Sequence, residues 1–477
     1  MSFFLFLFIL FIIFLDKIES SEKLVFVMTH FRHGARAPQN YYTDHLDYIK
    51  QSWTNPGELT GLGQRMHYLL GLRNRIRYID EKKFLSEAFN PHEILIYSSP
   101  FNRTINSVNS QLQGLYPQSI KKGEIIRDDQ EPYSRPQVKI NYTKIDEEKE
   151  KLGNYALPNS MIIAPVRMIN NNERKITIYD IEPCTIKRDE IKKKNSETLE
   201  SLINIVKNFT ERYGEKLDNF YGKKENYNNI SFLDNFCDAF IAGYTDRRNL
   251  DELKSADLNI DELRDYCYEF QKLNFRDWIA GDDKHVLAHV EVSKLMKEFI
   301  HYMLERVDAD IRKDDIDSKY EDYSRPKMMM VSAHDSTVSM NEIVLMEAFG
   351  ENKDFYKLPK FATQIAFEIT TDDSKESRTR DDYYINYYFN DDLIFTKKIQ
   401  EFIDKVTPHI WTDKQIDDFC GFQRTKDEYS THTTLLILFI SLTVIFFTST
   451  LILSIKLVKD KKSENANKIP LLPKNTE

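Results

Sequence analysis

Three apolar runs, each cut short by a polar motif and followed by helix-forming sequence, limit what this chain can fold into more than any other feature. The first covers 23–29 and ends at Phe31-Arg32-His33-Gly34-Ala35-Arg36-Ala37-Pro38, where glycine and proline interrupt regular structure. The second covers 93–98 and stops at Pro100, and the third covers 327–332 and ends at Ala333-His334-Asp335. Short apolar runs bounded by such breakers read as buried strands. The segments after them, 59–78, 102–115 and 336–349, carry apolar residues at helical spacing. Strand, loop and helix three times over predict an α/β fold with a largely parallel sheet flanked by helices. In such sheets ligands bind past the C-terminal ends of the strands, and each polar motif sits there.

Between about 185 and 274 the pattern changes. Lys, Asn, Asp and Glu dominate, apolar residues keep helical spacing, and little reads as strand. A mostly helical subdomain, inserted between two halves of the α/β domain, is expected here. The Tyr-rich stretch Tyr383–Phe389 predicts a late strand or hairpin.

The two ends carry apolar runs of a different kind. Residues 1–15 are almost wholly apolar, with Glu19, Ser20 and Ser21 after them, the pattern of a signal peptide over 1–21. Residues 433–455 carry no charge; about 23 residues make roughly 34 Å of helix, enough to cross a bilayer. Lys456, Lys459, Lys461 and Lys462 follow, which places the tail in the cytosol. The expected layout is a signal peptide over 1–21, a folded body over 22–422 and a polar stalk over 423–432. A transmembrane helix over 433–455 and a cytoplasmic tail over 456–477 complete it. This is a single-pass type I membrane protein with a lumenal or extracellular body.

The net charge of −9 argues against a nucleic-acid partner, which would need a basic face. It leaves an anionic small molecule open, because local arginines decide that. The four cysteines, Cys184, Cys237, Cys267 and Cys420, all fall on the expected lumenal side. That compartment is oxidising, so two disulfides are expected, with three pairings open. No C-x-x-C spacing occurs, so no metal site is assigned. Asn141, Asn208 and Asn229 stand in glycosylation sequons.

Arg32, His33 and Arg36 put two guanidiniums beside one imidazole on a loop after a strand. Arginine's planar fork bonds phosphate oxygens in pairs and stays charged. Phosphoryl transfer needs mainly positioning and neutralised charge, and an imidazole nitrogen can attack phosphorus and hold it as phosphohistidine. Arg103, after the second strand, would be a third guanidinium. Asp335 would be the general acid for the leaving alcohol, kept protonated by an acidic medium and a negatively charged neighbour. His334 would add positive charge and a hydrogen-bond donor. No cofactor is needed. Asn102-Arg103-Thr104 is also a formal sequon, but a glycan beside Arg103 would obstruct the pocket, so Asn102 is expected to be unmodified.

These residues resemble the histidine acid phosphatase family of the phosphoglycerate mutase-like superfamily. The resemblance rests on Arg32-His33-Gly34-x-Arg36-x-Pro38, Leu59-Thr60-x-x-Gly63, Arg103-Thr104, Ser332-Ala333-His334-Asp335 and Pro359-Lys360-Phe361-Ala362. The first motif alone should arise by chance in roughly one of several thousand chains of this length. The resemblance implies His33 as nucleophile, Arg32, Arg36, Arg103 and His334 as phosphate ligands, and Asp335 as proton donor. It also implies no metal, pairing of Cys184 with Cys420 and of Cys237 with Cys267, and a possible homodimer. The single span and short tail resemble the lysosomal acid phosphatase branch. The expected substrate is a small phosphate monoester. Inositol phosphates, lysophospholipids, or a catalytically silent receptor ectodomain are the alternatives. His285 and His289, four apart, read as a solvated helix face rather than a metal pair.

Overall fold

The central strand, β1 (Glu22–Arg32), is buried from Leu24 to Arg32 because it has a neighbour on each edge and a layer on each face. It pairs in parallel with β4 (Met328–Ala333) and antiparallel with β5 (Gln364–Asp372). β2 (Ile94–Ser98) lies on the far side of β4, and the two-residue β3 (Arg167–Met168) lies beyond it. β6 (Tyr383–Phe389) and β7 (Asp392–Lys398) extend the other edge, giving the order β3-β2-β4-β1-β5-β6-β7. This computed structural model describes residues 22–39, 53, 55–117, 126–134, 145–158, 162–169, 184–194, 196–221, 227–248, 250–255, 257–281, 285–313, 326–350 and 356–421.

The sheet is mixed where a largely parallel one was expected. β3, β2, β4 and β1 run parallel, whereas β5, β6 and β7 join by antiparallel pairing. For β6 and β7 the reason is connection length. Two residues separate β6 from β7, and a parallel pair needs a crossover of a dozen or more.

Eight helices matter here. They are α1 (Gly61–Arg75), α2 (Asn102–Leu115), α3 (Ser196–Tyr221), α4 (Ile230–Asp246), α5 (Ile260–Leu273), α6 (Val286–Arg312), α7 (Asp335–Phe349) and α8 (Ile399–Val406). Thr60 caps α1 by accepting from the Gly63 amide at 3.2 Å. α1 and α2 touch through glycine. A Cβ on Gly71 would sit 1.9 Å from the Gln111 carbonyl, and one on Gly114 would sit 1.9 Å from that of Tyr68. Val108, Leu112 and Leu115 of α2 share one core with Val27, Phe31, Ile94, Ile96 and Met330. The opposite face of the sheet packs Met28, Val331 and Phe367 against Phe299 of α6 and Val338 and Ile343 of α7. α3, α4 and α5 form a separate core around Phe209, Phe236 and Phe270. Cys237 of α4 is bonded to Cys267 of α5, and no described cysteine is free.

The described residues up to Ile416 make one compact unit; of the second, which begins at Asp417, the described residues end the helix Asp413–Cys420. Among the described residues no helix is long and apolar enough to cross a membrane. The apolar runs over 1–15 and 433–455, and Asn141, lie outside the described residues. Asn208 and Asn229 are exposed.

Candidate active site

Strand register brings the motifs together. Arg32 of β1 stands opposite Ala333 of β4, and Ser98 of β2 stands opposite Ser332. The next residue on each strand, His33, His334 and Ser99, therefore emerges at the same edge of the sheet. The His33 amide donates to the Ala333 carbonyl at 3.0 Å, and the His33 carbonyl accepts from Ala362 at 3.1 Å. Both backbone groups of His33 are thus tied down.

The loop below His33 is held by the Leu59-Thr60-x-x-Gly63 motif. Thr60 donates its amide to the Ala35 carbonyl at 2.9 Å, and Arg36 forms a β-bridge with Leu59. Gly34 and Gly63 meet backbone to backbone. A Cβ on Gly34 would lie 2.4 Å from the Gly63 oxygen, and one on Gly63 would lie 2.1 Å from the Ala35 oxygen. Ser107 of α2 accepts from the Gly34 amide at 3.1 Å.

His33 is buried, and its Nδ1 sits 2.9 Å from the Gly34 carbonyl. A carbonyl only accepts, so Nδ1 carries the proton and Nε2 keeps its lone pair. Burial first, then Arg32, Arg36, Arg103 and His334, hold the ring well below the usual imidazole range. It stays neutral, hence nucleophilic, in moderately acidic medium. Its ring centroid lies 5.8 Å from that of His334.

Three guanidiniums surround this imidazole, each fixed differently. Arg32 donates to the Pro359 carbonyl at 2.8 Å, lies 4.3 Å over the Phe361 ring, and pairs with Asp335 at 2.7 Å. Arg36 makes a two-pronged pair with Asp238 at 2.7 and 3.3 Å. Arg103 lies 4.5 Å over the Phe101 ring; burial, then Arg36, lowers it to about 10, so it remains cationic in acid. Each keeps a buried Nε–H with no hydrogen-bond partner, donor capacity that an anion could use.

Two sequence expectations need correction. His334 Nε2 shares a 2.9 Å hydrogen bond with Ser99 Oγ, and burial, then Arg103, Arg36 and Arg32, push its pKa well below the imidazole range. It offers a neutral hydrogen-bonding ring and no charge. Asp335 pairs with the cationic Arg32 where a negatively charged neighbour was expected. An arriving phosphate would itself bring that negative charge.

Sequence reasoning missed the wall supplied by the helical insert. Asp234 and Asp238 stand one turn apart on α4. Asp238 holds Arg36 and also accepts from the Gln39 amide at 2.9 Å. Burial, then Asp238 and Asp335, push Asp234 up to about 6. Nothing in the local pattern of α4 marks these two aspartates, because their partner lies about two hundred residues earlier. Phe361 and Pro359 were noted only as part of a motif; the structure makes them the platform under Arg32.

The Asp238–Arg36 pair yields a prediction. Asp238→Ala leaves a buried guanidinium without its counter-ion, which costs about 1–3 kcal/mol, less than a wholly buried pair because the Asp238 side chain is 26% exposed. Inorganic phosphate can replace that carboxylate. Phosphate should therefore raise the melting temperature of the variant more than that of the parent, and an equal rise would show that Arg36 does not meet the anion.

Lysosomal acid phosphatase of Xenopus laevis is 40% identical over 102 residues, 21% of this chain and 22% of that protein. Prostatic acid phosphatase of Homo sapiens is 40% identical over 114 residues, 24% of this chain and 28% of that protein. The matched stretches thus span about a quarter of these curated relatives. A solved phytase of Klebsiella sp ASR1 aligns with a TM-score of 0.46 at 14% identity, covering 77% of this chain and 83% of that one. A family model matches residues 23–390, the stretch that contains every strand end, loop and guanidinium of the pocket, so the chain belongs to the Histidine phosphatase superfamily (branch 2).

Proposed function

We propose that this chain is an acid phosphatase, hydrolysing phosphate monoesters through a phosphohistidine on His33. The observation that carries the reading is the 2.9 Å contact between His33 Nδ1 and the Gly34 carbonyl, inside a ring of three arginines. The His33 Nδ1–H is committed to Gly34, so Nε2 is a lone pair among three guanidiniums. Nε2 attacks phosphorus while the bond to the ester oxygen breaks, and Asp335 gives its proton to the leaving alkoxide. Arg32, Arg36 and Arg103 spread the charge of the equatorial oxygens, and His334 hydrogen-bonds one of them. Water then attacks the phosphoryl group, the P–N bond breaks, and Asp335 takes the water's proton. Phosphate leaves and His33 is neutral again.

The relatives' names, lysosomal and prostatic acid phosphatase, support the substrate class. Asp234 and Asp238 bear on the choice of substrate. A polyphosphorylated ring would bring further phosphates against Asp238, and against Asp234 until it protonates near pH 6, which favours simple monoesters over inositol polyphosphates. We place the body in the lumen of a lysosome-like organelle or at the cell surface, after cleavage of a signal peptide over 1–21 and with a span over 433–455. Pairing of Cys184 with Cys420 belongs to the same proposal.

The test is hydrolysis of para-nitrophenyl phosphate by purified protein across the range from about pH 4 to 7. Turnover in the presence of a chelator, highest on the acid side, is expected. Well-folded protein with no turnover at any pH would leave the silent ectodomain as the surviving alternative.

A further inference from the structure

Far from the phosphate pocket, three histidines from two distant parts of the chain converge on one carboxylate. Glu347 sits near the C-terminal end of α7, whose first residue is Asp335; the twelve intervening steps place it about 18 Å along the helix from the pocket. His289 of α6 reaches one Glu347 oxygen through Nε2 at 2.5 Å. His409, in the turn Thr407–His409 after α8, brings Nδ1 to 3.5 Å from that same oxygen. His285, the residue before α6, reaches the other oxygen through Nδ1 at 2.6 Å. The side chains are between 14% and 23% exposed, so this is no solvated helix face.

We propose that His289, His409 and Glu347 form a divalent transition-metal site, with zinc as the metal that suits it. Their ligand atoms lie within 4.8 Å of one another, close enough to surround a single ion at bonds of about 2.1 Å. Two imidazoles and a carboxylate are a recurring zinc donor set, and hard cations such as magnesium would want oxygen ligands instead. His285 completes the arrangement as an orienting group. Its ring N–H donates to the Glu347 oxygen that His289 does not use, which fixes the plane of the carboxylate. A fourth ligand position is left for water. The ion would tie the turn after α8 to α6 and α7. Because no catalytic group lies in this cluster, the metal's effect is on stability.

The experiment uses untagged full-length protein, stripped with chelator and returned to buffer near pH 7. Zinc binding is measured by calorimetry and by metal content after desalting, and cobalt(II) is added separately to read coordination from its visible spectrum. About one equivalent of zinc, a four-coordinate cobalt spectrum and a higher melting temperature are expected. His289→Ala and His409→Ala should each weaken zinc binding by more than about 100-fold, and His285→Ala by about 10–100-fold. All three should keep nitrophenyl phosphate turnover, which also shows that they fold. Parent protein that takes up no zinc, or variants that bind it as tightly as the parent, would overturn the site.

Discussion

Replacing His33 with alanine is expected to lower turnover by about 10⁴–10⁶-fold, to the level of water attacking an oriented substrate. The size of the loss follows from the chemistry. Without the imidazole of His33 there is no phosphohistidine at this position, and one other neutral imidazole lies in the pocket. His334 is the nearest competitor, but its Nε2 is engaged with Ser99. Binding should survive, because Arg32, Arg36 and Arg103 are fixed by Pro359, Asp238 and ring contacts that do not involve the His33 side chain. The variant should therefore bind inorganic phosphate within a few-fold of the parent while failing to turn over substrate. Rapid acid-sensitive trapping with labelled substrate should place the phosphoryl group on His33 in the parent and nowhere in the variant. A label on any other residue removes the mechanism.

The same group would let the proposed phosphatase work in acid. An ordinary imidazole is more than half protonated below about pH 6.5 and would lose its lone pair. His33 is held well below that by burial and by three nearby cations, so it stays a base as the medium acidifies. Asp234 moves the other way. It is raised to about 6, so acidification through that value removes a negative charge from the pocket wall and eases the approach of an anion. Both effects would carry the proposed activity toward low pH.

Local sequence rules found what local physics determines. The run over 102–115 gives α2 (Asn102–Leu115), and Thr60 caps α1, because spacing and capping are properties of neighbouring residues. The three strand ends were legible for the same reason, and parallel register then makes Arg32, Ser98 and Ala333 near neighbours. What depends on distant partners was not legible. Asp238 looks like any solvent-side aspartate of an amphipathic helix until Arg36 is seen beside it. Likewise Glu347 and His409 carry no sequence sign that they meet His289. The antiparallel pairing of β6 with β7 depends on a two-residue connection, which the repeated strand-loop-helix pattern of the first three strands masks.

Asp335→Asn is expected to separate substrates by their leaving groups. Nitrophenolate leaves without help, whereas an alkoxide needs a proton as the P–O bond breaks, and a placed general acid contributes about 10²–10⁴-fold. Asparagine is nearly the same size, so the start of α7, where Asp335 accepts from the Ser336 amide at 2.9 Å, should be preserved. It cannot give up a proton in the same way. The comparison must use kcat/KM, which ends at release of the alcohol, because Asp335 also serves the later hydrolysis of phosphohistidine and a common slow second step would hide the difference in kcat. Loss of the carboxylate also releases Arg32 from its 2.7 Å ion pair, and that change acts on every substrate alike through phosphate binding. The expected result is a fall in kcat/KM of about 10²-fold or more for an alkyl phosphate such as glycerol phosphate, against a small change for nitrophenyl phosphate. Equal falls would mean that the carboxylate acts only by positioning Arg32, and that the proton reaches the leaving oxygen from solvent.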